Sequence, residues 1–166
     1  SIALVENQRP VLAILHLPAI GDTFAAAKGA GAFRLRDGHC ARLTTSGRET
    51  LMGSTVGGPL GFLDALAKNH IELVREPRVP SLAYRMARVA TGDVDAGMAS
   101  ADSWDWDVAA ADLIVSEAGG LFTGLDGQVP LYNRERPRHG ILAAAPPVLQ
   151  RQLLEAMRAA LPQKPS

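Results

Sequence analysis

A chain of 166 residues with 47% hydrophobic content is the size of one compact domain and can bury a real core. Its 17 Lys plus Arg balance its 17 Asp plus Glu, which argues against a nucleic-acid polymer or an anionic membrane as partner and leaves any phosphate chemistry to a local site. No apolar run approaches the ~18 residues of a membrane span, and residues 1–10 show no basic stretch leading into an apolar core, so the sequence predicts a soluble protein.

Residues 1–5 and 11–15 read as two strands joined by a polar turn. A strand that begins at residue 1, with no initiator methionine or polar leader, is expected where preceding sequence has been removed or lies elsewhere. Short strands at 23–26 and 32–35 follow, with turns at 28–31 and 37–38, so residues 1–43 predict a meander of hairpins. After Thr50 the rhythm changes. An apolar stretch at 50–56, a helix at 60–68 and a strand at 71–74 make a βαβ unit. The next helix starts after Pro80 with Ser81 as N-cap, carries Leu82, Met86, Val89 and Ala90 on one side, and stops at Gly92. A strand at 94–98, a helix at about 107–118 ending on Gly119-Gly120, a strand at 120–123, a buried strand at 141–145 and an amphipathic helix at 147–161 complete the chain, with a frayed tail at 162–166. The expected fold class is therefore α/β: a mixed or antiparallel sheet over residues 1–43, then α/β layers over 50–161, the whole of 1–166 forming one unit.

Four features invite a chemical reading. Gly29 and Gly31 suggest a phosphate-cradling loop, but a lone Gly-x-Gly between strands is more simply a turn. Cys40, the single cysteine, cannot form an intramolecular disulfide and reads as an incidental buried or half-buried thiol in a reducing cytoplasm. Histidines 16, 39, 70 and 139 show no metal-ligand spacing and read as surface or turn residues. Asp107, beside the small residues Ala109 to Ala111 at a helix start, is either a cap worth about 1 kcal/mol or a hard oxygen ligand for Mg²⁺. Spacing alone favours the cap.

Trp106-Asp107-Val108-Ala109-Ala110, followed by Ile114-Val115-Ser116-Glu117-Ala118-Gly119-Gly120, resembles the C-terminal signature of the inositol monophosphatase family. Pro18-Ala19-Ile20-Gly21, the segment Ala27 to Phe33, and residues 81–95 with Val89, Ala90, Gly92 and Asp95 fall in the same family order. The resemblance implies a layered α/β fold with its N-terminal part missing here, and hydrolysis of a small phosphate monoester with two or three Mg²⁺ ions. Family members include inositol monophosphatases and 3′(2′),5′-bisphosphate nucleotidases. By the same resemblance Asp107 matches a metal ligand, and the backbone at Ser81 and Leu82 helps hold the substrate phosphate at a helix N-terminus. Arg85 lies about where the nucleotidase branch carries a lysine, and is read either as a contact to a second phosphate or as a solvated helical arginine. A homodimer is a candidate assembly.

Two departures stand out. Between Met98 and Trp104 there is no glutamate to match the family's inositol contact, leaving Asp102 or Asp105 as substitutes, and the family's Asp-Pro-x-Asp-Gly-Thr motif is absent. An incomplete metal site permits a rival expectation, a catalytically inactive module that binds a partner or a phosphate ligand.

Overall fold

The computed structural model describes residues 1–161, so the expectation for the tail at 162–166 lies outside the described residues. Strands β1 (Ile2–Glu6), β2 (Arg9–Leu17), β3 (Asp22–Ala27), β4 (Gly31–Arg36) and β5 (His39–Arg42) pair in sequence order as an antiparallel meander. Period-two alternation sends Ala13, Leu15, Phe24, Ala26 and Ala32 to the inner face, where they are buried. Cross-strand register places Ile2 beside Ile14 and Leu4 beside Leu12 on the outer face, and these four stay exposed. Strand β5 was not predicted as a separate element, because all four of its residues are exposed and none marks a buried face. It carries Cys40, which is exposed, correcting the expectation of a buried or half-buried thiol.

Beyond residue 50 come β6 (Thr55–Gly57), α1 (Leu60–Lys68), β7 (Val74–Arg75), α2 (Leu82–Ala87), β8 (Ala96–Ala99), β9 (Ser103–Trp104), α3 (Asp105–Glu117), β10 (Leu121–Gly124), β11 (Arg138–His139), β12 (Leu142–Ala145) and α4 (Pro147–Ala160). The β6–α1–β7 unit is parallel, as the βαβ reading requires. Its second strand is shorter and later than the predicted 71–74. Ile71 and Leu73 instead pack against the core formed with α1 and α4, so their apolar character reflects burial outside the ladder. Helix α2 starts on Ser81, whose hydroxyl accepts from the Tyr84 N–H at 3.2 Å, and passes through a 3₁₀ turn at Arg88–Thr91 to Gly92 at φ 75°.

The second sheet has the order β10-β12-β8-β6-β7, and its strands β12 and β8 are buried on both faces. Leu142 and Ala144 face the core shared with α2, α3 and the first sheet, while Ala143 and Ala145 face α1 and α4. Two buried faces explain why β12 reads as an unbroken apolar run. The layers thus run sheet, helices α2 and α3, sheet, helices α1 and α4, and the predicted α/β class is the one adopted. Close layer contact needs small residues. A Cβ on Gly97 would meet Met86 Sδ at 3.2 Å and Val89 Cγ2 at 3.3 Å.

Central helix α3 is buried without interruption from Val108 to Val115, as befits a helix covered on both sides. Its one charged residue in that run, Asp112, is answered by a partner from far along the chain: Arg9 donates to Oδ1 at 3.1 Å and approaches Oδ2 at 2.8 Å. Tyr132 Oη and Ser116 Oγ also donate to this carboxylate, at 2.9 and 3.1 Å. At the helix end, Glu117 accepts from the Gly29 and Gly31 N–H groups, both at 2.8 Å. Those amides are therefore spent on the protein's own carboxylate, and the 28–31 segment is a braced turn. Glu117→Ala is expected to lower unfolding free energy in urea by about 1–2 kcal/mol. Gain of phosphate-ester binding with no loss of stability would instead favour the phosphate-loop reading.

Candidate active site

Three segments distant in sequence meet at one cleft of about 520 Å³, lined by His16 and Leu17 of β2, Ser81 and Leu82 at the start of α2, and Trp106 and Asp107 of α3. Helix α3 begins two residues earlier than predicted, so Asp107 sits inside its first turn and does not precede it. From there one carboxylate oxygen, Oδ2, accepts from the Trp104 N–H at 3.3 Å. Asp107 is half-buried in the cleft wall, so both readings of it have a geometric basis: it caps, and it faces open space. Opposite it, the Ser81 hydroxyl is engaged with Tyr84, which leaves the Leu82 and Ala83 amides, the first of α2, for another acceptor.

Arg85 points elsewhere. It lies against Gly57, with its Cγ 3.5 Å from where a Cβ there would sit, and Nη1 donates weakly to Val79 O at 3.4 Å. Burial, aided by the neighbouring Arg78 cation, lowers its pKa, and its Nε is buried without a hydrogen-bond partner. The predicted Ser81, Leu82 and Asp107 thus share a cleft whose lining does not include Arg85.

Sequence reasoning passed over three features of this region. His16 lines the cleft with Nδ1 at 2.8 Å from Thr23 Oγ1. His139, expected at the surface, is buried, with Nε2 at 2.8 Å from Asp105 Oδ1. Asp105 also accepts from the Asn133 N–H at 2.8 Å, so its carboxylate fastens the 133–139 segment to the start of α3. Asp102 is exposed at φ 70°, with Arg138 Nη1 3.7 Å away. The third feature is aromatic: Trp104 and Trp106 stack at 4.5 Å and 14°, and the Arg138 guanidinium lies 4.0 Å from the Trp104 ring centroid.

A hard divalent cation would find one suitable donor here, the Asp107 carboxylate. Among the described residues no group of three His, Cys, Asp or Glu side chains converges to hold a metal. The donor type fits Mg²⁺, and the donor number from this chain falls short of the octahedral shell that ion requires.

The layered fold and the carboxylate-lined cleft define a class, and comparison with known proteins makes it specific. Residues 1–162 match the inositol monophosphatase family, and the chain belongs to that family. It is 30% identical to an inositol-1-monophosphatase of Mesorhizobium japonicum, covering 95% of this chain and 59% of the relative. It is 26% identical to a 3′(2′),5′-bisphosphate nucleotidase CysQ of Aggregatibacter actinomycetemcomitans, covering 80% of this chain and 51% of that one. The crystal structure of the extragenic suppressor protein SuhB from Bartonella henselae superimposes with a TM-score of 0.79 at 25% identity, over 96% of this chain and 60% of that chain. The chain therefore spans between half and three-fifths of the length of these relatives. No helix among the described residues is long and apolar enough to cross a membrane.

Proposed function

We propose that this chain forms one wall of the active site of a magnesium-dependent phosphomonoesterase acting on a small phosphate ester, an inositol monophosphate or a 3′(2′),5′-bisphosphate nucleotide. The observation that carries the reading is the meeting of Asp107 with the N-terminal turn of α2 in one cleft. Family membership supports phosphatase chemistry, and the inositol-1-monophosphatase and bisphosphate nucleotidase among the relatives support the two substrate classes.

In this reading the Leu82 and Ala83 amides and the Ser81 cap orient a phosphate against the positive end of α2. Asp107 supplies one anionic oxygen ligand, its second oxygen held in place by the Trp104 N–H. When bound, Mg²⁺ supplies charge neutralisation at the phosphoryl oxygens and an acidified water. Arg85, half-buried on the next turn of α2, matches by family position a contact to a second phosphate, but its side chain turns away from this cleft toward Gly57, which favours its reading as a helical arginine without that role. The free, exposed thiol of Cys40 suits a cytoplasmic setting.

One ligand does not make an octahedral site, so the chain by itself is expected to release no phosphate above background when assayed with Mg²⁺ against both ester classes. Adding a segment that carries the Asp-Pro-x-Asp-Gly-Thr motif is expected to restore metal-dependent release. Turnover by the unassisted chain would show that its site is complete by some other set of residues.

A further inference from the structure

We propose that a second cleft, walled by Trp104, Arg134, Arg136 and Arg138, is an anion subsite that takes a further phosphate group of the same substrate whose ester phosphate lies at the Asp107 cleft. This inference rests on the phosphatase reading above. The cleft measures about 780 Å³. Its three arginines stand within five residues of a chain whose charges balance overall.

Those cations are not consumed by the fold. Arg9, Arg34, Arg75 and Arg88 each have a carboxylate partner at bonding distance. Among the described residues neither Arg134 nor Arg136 has one, and Arg138 meets Asp102 only at 3.7 Å. Arg134 does donate to the Arg138 carbonyl, at 3.4 Å. Asp102 and Glu135 also line the cleft, so its net charge is modest, and selectivity must come from guanidinium geometry, which matches phosphate oxygens two at a time.

The arginines are also held in position. Asp105 bonds the Asn133 N–H and His139 at the two ends of the segment, its own N–H donates to Pro137 O at 3.1 Å, and Arg138 pairs with Trp104 across the short β9–β11 ladder. Stacking of the Arg138 guanidinium on Trp104 fixes its plane. A loop bonded this densely presents its cations with little ordering cost.

The two clefts are linked by shared lining residues. Trp106 lines both the Asp107 cleft and an intermediate one of about 570 Å³, and that one shares Arg134 and Pro137 with the arginine cleft. A bisphosphorylated sugar or nucleotide with one phosphate at Asp107 can follow this wall, passing the Trp106 indole, which is 58% exposed. Asp102 and Glu135 do not form part of any group of three metal-ligating side chains among the described residues, and the cleft is assigned a binding role only.

The test needs no metal and no turnover, which separates its failure from failure of the phosphatase reading. Trp104 and Trp106 are the chain's only tryptophans, so intrinsic fluorescence reports this wall directly. In EDTA, the full chain is titrated with adenosine 3′,5′-bisphosphate, an inositol bisphosphate, the corresponding monophosphates and inorganic phosphate. Both bisphosphates, or one of them, are expected to bind ~10-fold or more tighter than the matching monophosphate. Which one does so identifies the source of the second phosphate. Arg136→Gln and Arg138→Gln are expected to remove that preference, Arg138→Lys to restore part of it, and the surface control Arg151→Ala to leave it intact. The glutamine changes are at exposed positions, and an unchanged circular dichroism spectrum verifies folding. Absence of any bisphosphate preference, its survival in Arg136→Gln with Arg138→Gln, or its loss in Arg151→Ala overturns the proposal. Equal binding of inorganic phosphate and both bisphosphates shows an unspecific anion patch and overturns it as well.

Discussion

Asp107→Asn, made in a version of the protein that also carries the Asp-Pro-x-Asp-Gly-Thr segment, is expected to lower kcat for phosphate release by ~100-fold or more. Even outer partners of a metal ligand typically cost about 10–100-fold when removed, and a direct ligand costs at least as much. Asparagine keeps an oxygen that can still accept from the Trp104 N–H, so the first turn of α3 stays capped. Melting temperature is expected to change little. The pairing of a large kinetic loss with a small thermal one separates the ligand role from the cap role, because a cap alone would show the reverse. The paired readout is steady-state kinetics and a thermal melt on the same preparation.

The largest expected effect on stability belongs to Asp112. Its side chain is wholly buried and its Arg9, Tyr132 and Ser116 donors come from elements on several sides. Asp112→Ala leaves the Arg9 cation and the Tyr132 hydroxyl facing an apolar void, at a cost of about 3–5 kcal/mol for breaking a buried pair from one side. Chemical denaturation of wild type and variant measures it directly. The pH dependence has a definite sign. Burial raises the Asp112 pKa above its ordinary 3.8, while Arg9 above all, then Tyr132 and Ser116, oppose the rise. A carboxyl that holds its proton more tightly folded than unfolded contributes stability that is complete below its unfolded value and is lost as pH rises through the folded one. Arg9→Met removes the main opposition and widens that window. Its stability deficit against wild type is therefore expected to be larger at pH 8 than at pH 4.

How much of this was legible beforehand follows from which forces act locally. The hairpins of β1 to β4 were readable because one buried face imprints a period of two on residues such as Ala13, Leu15, Phe24 and Ala26. The Ser81 cap and the Gly92 stop were readable because capping is settled within one turn. Strand β7 was misplaced because Ile71 and Leu73 are apolar for packing against α1 and α4, and burial in a loop leaves the same signature as burial in a strand. Strands β9 and β11 were missed because two-residue ladders carry no period.

At the site, Asp107 stood out only through family resemblance, since its spacing fitted a cap equally well. The 133–139 segment said nothing in sequence. Its meaning depends on Asp105, 28 residues before Asn133 and 34 before His139, and on Trp104 stacking under Arg138. The phosphate-loop possibility at Gly29 and Gly31 was open until Glu117, 88 and 86 residues away, was found on their amides. Partners at that separation are set by the layer order, which no local pattern encodes.

In the proposed function Asp107 serves a metal-dependent phosphoryl transfer to water. The most direct test is phosphate release from an inositol monophosphate and a 3′,5′-bisphosphate nucleotide by the protein completed with the Asp-Pro-x-Asp-Gly-Thr segment, measured as Mg²⁺ is raised from zero in an EDTA-stripped preparation. The account predicts no release without metal, a saturable rise with Mg²⁺ for at least one ester, and reversal by EDTA. Release at the same rate in EDTA as in Mg²⁺, or none at any Mg²⁺ concentration from a folded, completed protein, would contradict it.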